Sequence, residues 1–463
     1  MRGILAGTST TLLGGGISRL APRTAADRPG PTGRGDHQTW PSQEVVSRPL
    51  FSTDRRPVPD INVLSPGTQQ ARAPSGAGMR HASPDPMTPK VSFFRVGNGD
   101  MTLITLASGR TILIDCNIRS AADDPKDATA DVAAQLKDRL RRDGADRPYV
   151  DAMILSHPDA DHCRGVDTHF HLAPLSDYDA ESDKIVIREM WSSPMVFRRA
   201  CRSHVLCPDA KAWNKEAKRR VAVFKAKGSC DVSERVRIIG EDEDGKTDDL
   251  AAILVRIDEV VWTIDGSSEA DFEARLLAPL PKSENDEEEE ALSKNDSSII
   301  FQFSLGDAGL DPILFLSGGD AEVGIWERLW ARKSSTPEHL SYDLLQTPHH
   351  CSWHSLSWDS WSSCGEQVKV SEEARNALGQ ALSGAKIVAS SKPIKEDDSD
   401  PPCIRAKREY RAILSPVKGE FVCVGDGGPQ PLEYEITYGG LTLVKAAVRR
   451  SPTLIGVTPQ GHG

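Results

Sequence analysis

The feature that most constrains this chain is a hydrophobic strand that leads directly into a loop of potential metal ligands. Residues 149–156, YVDAMILS, are typical of a buried strand, and the loop that follows carries two imidazoles and two carboxylates, from His157, Asp159, Asp161 and His162. Because Asp161 and His162 are adjacent, a tight loop can aim both at one point, whereas a helix or strand face cannot. Imidazole and carboxylate suit Zn, Fe or Mn. The segment therefore predicts part of a metal site at the end of a strand.

Two later segments repeat this arrangement. DPILFLSGGD predicts a strand that ends at Asp320, and SYDLLQTPHHCS predicts a strand that leads into His349 and His350. One loop rarely supplies a whole coordination sphere, so these side chains are candidates for the remaining ligands. If the strands are neighbours in one sheet, all the loops lie along the same edge. Asp100, in the turn GNGD, and Asp115, at the end of TILID, are expected to be structural, with Asp115 a candidate for orienting a ligand.

The alternation of strands and helices predicts an α/β sandwich for residues 89–450. Within that domain, residues from about 165 to 296 are expected to form an insertion, and its acidic run SENDEEEEALSKND (283–296) a solvated loop. Residues 1–88 are rich in Gly, Pro, Ser, Thr and Arg without apolar periodicity, which predicts a disordered low-complexity extension. Residues 451–463 are expected to form a flexible C-terminal tail.

Composition narrows the classes of function. The net charge of the 463-residue chain is −11, which argues against a non-specific nucleic-acid coat, because phosphate contacts need Lys and Arg. It leaves room for an enzyme that holds phosphate through a metal. The nine cysteines are odd in number and form no CxxC pair, which predicts reduced thiols in a cytoplasmic protein. No apolar run predicts a membrane span. The start of the chain has two interpretations, a faint transit-like segment or a true start at Met79 or Met87.

The three loops, in this order and each after a strand, resemble those of the metallo-β-lactamase fold. In detail they resemble the hydrolase domain of bacterial DNA-uptake competence channel proteins, which has the motifs V-G-x-G-D, I-L-I-D, S/T-H-x-D-x-D-H, S-I/L-V, G-D and P-H-H-G-S. The corresponding segments here are Val96–Asp100, Ile112–Asp115, Ser156–His162, Ser298–Ile300, Gly319–Asp320 and Pro348–Ser352. The resemblance covers roughly residues 91–425 and implies an αββα sandwich.

Three departures from the commoner family pattern affect the expected site. Asp159 stands where most members have a second His, a trait shared by the competence subgroup, and its carboxylate shifts the expected metal from Zn toward Mn or a mixed pair. The usual intermediate His has no clear counterpart, and His169, His171 and His204 are the candidates for it. Cys351 replaces the usual Gly after the double His, and its side chain could narrow the active-site edge.

The resemblance implies a site of two divalent metal ions, Zn or Mn, that hold a hydroxide between them. It implies six metal ligands, which are His157, Asp159, Asp161, His162, Asp320 as the bridge, and His349. It also implies catalytic roles for Asp161, which would orient the nucleophile, and for His350, which would assist the leaving group. The sequence leaves open which of His349 and His350 is the ligand.

The function that the resemblance implies is a stand-alone phosphodiesterase or nuclease, with nucleic acid as a possible substrate and no membrane partner. A hydrolase of a small ester, lactone or thioester would use the same loops. A non-catalytic binding protein that acts through the insertion is a further alternative, which the retained ligands argue against. The oligomeric state is not predicted.

Other polar and aromatic features have structural explanations as well as functional ones. The tryptophans of WHSLSWDSW (353–361) could stack bases, or pack as a lid or core. The basic helix predicted over 210–228 could meet phosphate, or be an ordinary solvated helix. Cys163 and Cys351, beside the histidines, are interpreted as packing residues.

Overall fold

The computed structural model describes four parts of the chain: residues 87–123, 127–292, 295–306 and 311–444. They all belong to one compact unit, Arg80–Gly463. The extension predicted over residues 1–88, apart from Met87 and Thr88, and the C-terminal tail predicted over residues 451–463 lie outside the described residues.

The β-branched and aromatic runs of the sequence form strands. The strands of the described residues are β1 (Lys90–Phe93), β2 (Thr102–Thr105), β3 (Thr111–Ile114), β4 (Arg141–Arg142), β5 (Pro148–Ile154), β6 (Phe170–His171), β7 (Ile185–Ser192), β8 (Arg235–Ile239), β9 (Leu254–Val255), β10 (Val260–Val261), β11 (Thr263–Ile264), β12 (Ser267–Ser268), β13 (Phe272–Ala278), β14 (Ile300–Leu305), β15 (Ile313–Leu316), β16 (Tyr342–Gln346), β17 (Ala381–Ala389), β18 (Glu420–Cys423), β19 (Leu432–Thr437) and β20 (Gly440–Leu443).

Helices connect many of these strands. The α-helices of the described residues are α1 (Val132–Lys137), α2 (Ala160–Cys163), α3 (Val166–His169), α4 (Pro194–Ser203), α5 (Pro208–Lys227), α6 (Asp286–Ala291), α7 (Val323–Lys333), α8 (Trp361–Cys364), α9 (Glu372–Leu378) and α10 (Ile404–Leu414). None of the helices in the described part of the chain is both long and apolar enough to cross a bilayer.

The strands form two large sheets and one small hairpin. The first sheet has the order β20-β19-β1-β2-β3-β5-β7-β8-β9, with β4 paired to β5 and β6 to β7. The second has the order β10-β13-β14-β15-β16-β17-β18, while β11 and β12 pair with each other. Strands β3, β5 and β7 are parallel, and so are β15 to β18. The carboxyl ends of these parallel strands therefore lie along one edge of each sheet.

The two sheets pack face to face around a central hydrophobic core. Phe93 of the first sheet and Phe315 of the second are fully buried there, with ring centroids 6.0 Å apart. On the outer face of the second sheet, α7 and α10 bury Trp326 and Tyr410. On the outer face of the first, α5 buries Trp213. The layers run helix, sheet, sheet, helix, which confirms the predicted αββα sandwich.

The site loops leave the sandwich at facing edges of its two sheets. In the first sheet β3 leads to Asp115 and β5 to His157, whereas in the second β15 leads to Asp320 and β16 to His349. The expectation that all these strands could be neighbours in one sheet is wrong. They are neighbours in pairs, and the two pairs lie in different layers. The loops converge because the layers are stacked.

The middle of the chain, residues 165–296, contributes to both sheets. Its strands β6 to β9 extend the first sheet, and β10 and β13 form one side of the second. The basic helix α5 is anchored to the first sheet, because the buried guanidinium of Arg220 donates to the carbonyls of Ile187 and Arg235, both at 3.0 Å. This helix is therefore only partly exposed to solvent, although its charge suggests an exposed helix.

The acidic segment 283–296 differs from the solvated loop expected for it. It contains α6, and the carboxylate of Glu289 is buried, with its two oxygens 2.9 Å from Nε and Nη2 of Arg199 on α4. Such a two-point contact offsets the desolvation of both charges. Charge patterning could not show this, because the partner lies 90 residues earlier in the chain.

Candidate metal centre

Backbone hydrogen bonds join the loops of the two sheets. The amide of Ile299, just before β14, donates to the carbonyl of Ser156 at the end of β5 (2.9 Å). Within the second sheet, the amide of His349 donates to the carbonyl of Gly319 (2.8 Å). These contacts place the HPDADH loop against the two loops that carry Asp320 and the histidine pair.

A glycine turn brings Asp100 into the same region. The amide of Asp100 donates to the carbonyl of Asp161 (3.1 Å), and Gly99 before it has φ +140°. A Cβ on Gly99 would lie 2.1 Å from Asn117 Nδ2 and 2.7 Å from the Asp161 carbonyl oxygen. Only glycine fits this close approach, so the GNGD turn fixes Asp100 beside the HPDADH loop.

Asp320 lies at the centre of the site and is 2% exposed. Its Oδ1 is 3.1 Å from Nε2 of His162 and 3.4 Å from Nε2 of His350. Its Oδ2 is 3.3 Å from Nε2 of His157 and 3.8 Å from Nε2 of His349. Each carboxylate oxygen therefore faces its own pair of imidazole nitrogens.

Two further carboxylates complete these pairs. Asp159 Oδ2 is 3.9 Å from Nε2 of His157, and Asp161 Oδ2 is 3.5 Å from Nε2 of His350. We name the two sets by the oxygen of Asp320 that they face. The Oδ1 group consists of Asp100, Asp161, His162 and His350, and the Oδ2 group consists of His157, Asp159 and His349.

Asp115 orients His162 by contacting its Nδ1 atom, on the side of the ring away from Asp320. Its backbone is left-handed, with φ 59°, and its Oδ2 is 2.7 Å from Nδ1 of His162. The same carboxylate accepts hydrogen bonds from the amide and the hydroxyl of Ser156, at 2.7 and 2.6 Å. That hydroxyl is also 3.1 Å from Nδ1 of His157. Asp115 and Ser156 thus hold both histidines of the loop with Nε2 toward Asp320.

Carboxylates also lie behind the histidines of the second sheet. Nδ1 of His350 is 3.3 Å from Asp100 Oδ1, and Nδ1 of His349 is 3.7 Å from Glu322 Oε1. Histidine ligands of metals usually donate the second ring N–H to a carboxylate or another oxygen, which fixes the ring and the tautomer. His162 follows this pattern, and Nδ1 of His157 has the Ser156 hydroxyl beside it. Nδ1 of His349 and of His350 lies within ion-pair distance of a carboxylate but forms no hydrogen bond among the described residues.

The residues present fit a divalent metal ion. Ligand atoms of Asp100, His162, Asp320 and His350 all lie within 4.8 Å of one another. Several site atoms are buried without a hydrogen-bond partner among the described residues: Asp100 Oδ1, His157 Nε2, Asp320 Oδ1, His349 Nδ1 and His350 Nδ1. Buried polar atoms are rarely left unpaired, and a bound ion explains a cluster of them.

Opposite charges stabilise one another in this site. Burial raises the pKa of Asp320, but His162, His350 and His157 outweigh it and lower the pKa well below the usual range. Burial lowers the pKa of His350, whereas Asp320 and Asp100 raise it to about 10. The carboxylate of Asp320 therefore stays ionised and able to bind a cation.

The turn that carries the histidine pair has a left-handed backbone at three consecutive residues. The φ angles of His349, His350 and Cys351 are 49°, 53° and 71°. Such conformations cost free energy in residues other than glycine, and they concentrate at functional sites. The Cys351 side chain is fully buried in the core, with its Sγ 3.9 Å from the carbonyl oxygen of Cys403. The expectation that Cys351 narrows the active-site edge is therefore wrong.

The structure brings together all the residues predicted as ligands or catalytic groups, which are His157, Asp159, Asp161, His162, Asp320, His349 and His350. It adds Asp100, which the sequence interpretation assigned to a structural turn. The available signal was the position of that turn, between two strands that reach the same edge. Both histidines of the pair face Asp320, one on each oxygen.

The three candidates for the missing intermediate histidine lie elsewhere. His171 Nε2 is 2.9 Å from the Pro174 carbonyl oxygen, and His204 is exposed. None of the three, His169 included, belongs to the Asp/His cluster found among the described residues.

The aromatic and cysteine features near the site face different surroundings. Trp353 is buried, Trp358 is exposed and donates to Glu327, and Trp361 stacks on Arg405. The three rings therefore form no common stacking surface.

The Sγ atom of Cys163 is buried, 3.4 Å from that of Cys207, and this contact together with burial raises the pKa of Cys163. Cys163 is thus held as a protonated packing residue.

Comparison with known families supports the fold. Residues 94–169 match the sequence profile of the Metallo-beta-lactamase superfamily. This stretch runs from the end of β1 through the Asp100 turn to just beyond the HPDADH loop. A search of curated proteins finds no match to the chain. The fold is metallo-β-lactamase-like, and the match together with the buried Asp/His cluster indicates a metal-dependent hydrolase. The narrower resemblance to the competence-channel hydrolase domain stays a prediction.

Proposed function

We propose that this chain hydrolyses phosphodiesters with two divalent metal ions held on either side of Asp320. The observation that carries the proposal is the set of four imidazole Nε2 atoms, two facing each oxygen of that buried carboxylate. A structural polar cluster would pair its donors and acceptors internally. Here the atoms that face Asp320 include buried ones without a partner among the described residues.

Each of the two groups would bind one ion. Asp161, His162 and His350 would hold one ion, and His157, Asp159 and His349 the other, with Asp320 shared. Bound metal ions of this kind lower the pKa of water and stabilise the attacking and leaving oxygens of a phosphodiester.

The protein residues would supply orientation. Asp115 keeps the proton of His162 on Nδ1, so that Nε2 presents its lone pair to the site. Asp161 is 35% exposed and is the carboxylate of the Oδ1 group nearest to solvent, so its free oxygen can accept a hydrogen bond from an incoming water. Asp100, whose Oδ1 is 3.3 Å from Nδ1 of His350, would attract that side of the ring by charge.

The donor set favours phosphodiesters over neutral esters. Four carboxylates, from Asp100, Asp159, Asp161 and Asp320, accompany the four histidines, and oxygen-rich sites suit harder ions such as Mn better than Zn. Two-metal sites are common in phosphatases and nucleases, where both metals stabilise charge on a transferring phosphoryl group. Nucleic acid is therefore a proposed substrate.

The test combines metal content with a substrate panel. Purified full-length protein should contain about two Mn or Zn ions per chain by elemental analysis, as expected of two-metal hydrolases. It should cleave bis(p-nitrophenyl) phosphate, lose this activity to a chelator and regain it with Mn. Absence of bound metal after reloading would refute the hydrolase. Cleavage of p-nitrophenyl acetate, a lactone or a thioester without cleavage of the phosphodiester would refute the substrate class alone.

A further inference from the structure

A second polar site lies next to the metal centre, on the other side of the GNGD turn. It is a cavity of about 470 Å³ whose lining includes three cationic side chains, from Arg95, Arg119 and Lys392. These residues come from separate places: the end of β1, the loop after β3 and the loop after β17. All three segments end at the edge of the sandwich that carries the metal ligands.

Two of the three cations lie beside Gly97. A Cβ on Gly97, which has φ +86°, would lie 3.8 Å from Nη1 of Arg119 and 3.9 Å from Cε of Lys392. Nη2 of Arg95 donates to the carbonyl of Gly425 (3.0 Å) on the opposite wall. Glycine at position 97 suits this left-handed backbone, and it lies beside Arg119 and Lys392.

Among the described residues, the lining of the cavity holds one carboxylate, Asp127, and Arg119 is the weakest of the influences on its pKa. Within the described residues, none of Arg95, Arg119 and Lys392 forms an ion pair with a carboxylate, although Arg95 and Arg119 are half-buried. The carboxylate on the cavity, Asp127, is fully exposed, and its Oδ1 accepts a hydrogen bond from the amide of Thr129 (2.7 Å). Partly buried arginines normally find an anion, so an anionic ligand would complete this site.

The GNGD turn connects the cavity to the metal centre. Gly97 borders the cavity and Asp100 borders the metal site, and their Cα atoms are at most about 11 Å apart because they are only three positions apart in the chain. Asn98 anchors this turn, since its Oδ1 accepts a hydrogen bond from the Lys392 amide (3.0 Å). Ser390 donates to the carbonyl of Gly99 (2.9 Å). A substrate of modest length could reach both sites.

We propose that this cavity binds a second phosphate group of the substrate, beyond the one that is cleaved at the metal centre. The inference rests on the proposed function and narrows it to substrates that carry at least two phosphates. The physical need is clear from the net charge of −11, because a polyanion approaching an acidic protein requires a local cationic site. Arginine suits phosphate particularly well, because its guanidinium can make two parallel hydrogen bonds.

The first measurement is anion binding without metal. Inorganic pyrophosphate is titrated by calorimetry into chelator-treated full-length protein, so that no metal ion can bind the probe. The wild type should bind, and Arg119→Ala should weaken binding about tenfold or more, as expected for loss of a charge-assisted hydrogen bond. Arg119→Lys should weaken pyrophosphate binding less than Arg119→Ala does. The control Arg332→Ala removes an exposed arginine that pairs with Asp258 on another face, and it should bind as the wild type does.

Equal binding by the wild type and Arg119→Ala, or no binding by the wild type, would overturn the anion site. Lys392→Ala gives a second test, because this side chain is exposed and its removal leaves the core intact.

The second measurement links the cavity to the substrate. With metal restored, Arg119→Ala and Lys392→Ala should raise the KM for a 5′-phosphorylated thymidine dinucleotide, which has two phosphates. The KM for bis(p-nitrophenyl) phosphate, which has one, should stay unchanged. An equal rise for both substrates would overturn the role of the cavity. If neither substrate is cleaved, the phosphodiesterase proposal and the substrate role fail together, and pyrophosphate binding then shows whether the anion site itself stands.

Discussion

The two halves of the metal centre differ in how their histidines are buried and backed, although Asp161 of the Oδ1 group is 35% exposed and His157 of the Oδ2 group is fully buried. In the Oδ1 group, His162 and His350 are almost completely buried, and Asp115 contacts His162 at 2.7 Å. In the Oδ2 group, His349 is 17% exposed and its backing carboxylate, Glu322, is 3.7 Å away and 28% exposed. Electrostatic attraction is stronger where water is excluded. We expect the Oδ1 group to bind its ion tightly and the Oδ2 group to exchange its ion.

The largest effect should come from the residue that both halves share. Asp320→Ala removes the carboxylate that faces all four Nε2 atoms, so both ions should be lost and hydrolysis should fall to background. Elemental analysis and the phosphodiester assay measure this. Asp397→Ala, which removes an exposed carboxylate, is the matched control and should retain metal and activity. Retention of both ions by Asp320→Ala would show that the halves are independent sites.

The next test separates the halves by removing one histidine from each. His350→Ala should lose the tightly held ion, whereas His349→Ala should keep it and need more free Mn for activity. We expect this increase to exceed the roughly 10- to 100-fold that loss of an orienting residue costs. Mn titration of activity and bound metal after dialysis are the measurements. If His349→Ala loses the tightly held ion and His350→Ala keeps it, the proposed order of affinity is reversed.

A smaller effect is expected from the carboxylates behind the histidines. Asp115→Asn keeps the shape but lets the amide donate to Nδ1 of His162, which favours the wrong tautomer. Metal affinity should fall about 10- to 100-fold. Glu322→Gln makes the same change at a longer and more exposed contact, so it should reduce metal affinity less. Equal losses in the two variants would contradict the difference in rigidity between the groups.

The smallest effect concerns which metal is preferred. Asp159→His replaces a carboxylate of the Oδ2 group with an imidazole and should shift the preference from Mn toward Zn with little loss of stability, because Asp159 lies at the partly exposed side of the site. Competition between the two metals, followed by elemental analysis, measures the ratio. An unchanged ratio would mean that the Oδ1 group alone sets the preference.

Local pattern predicted much of this site, because strands followed by polar loops leave a clear trace in the sequence. The HPDADH loop, Asp320 and the histidine pair were all located in this way. Long-range geometry was not predictable. Asp100 joins the site because a glycine allows its turn to approach Asp161, and Glu289 is buried because of an arginine 90 residues away. Cys351 points into the core because its backbone is left-handed, which the residue type does not indicate.

The contact between His162 and His350 has a consequence for the order of assembly. Their Nε2 atoms are 3.2 Å apart, although 188 residues separate them in the chain. During synthesis, the HPDADH loop emerges long before the second sheet exists, so it can offer only part of a coordination sphere. The full site forms once the two layers have docked, and metal affinity then adds to the free energy of folding. Bound metal would then hold the two sheets together, and metal binding would report that the two sheets have docked.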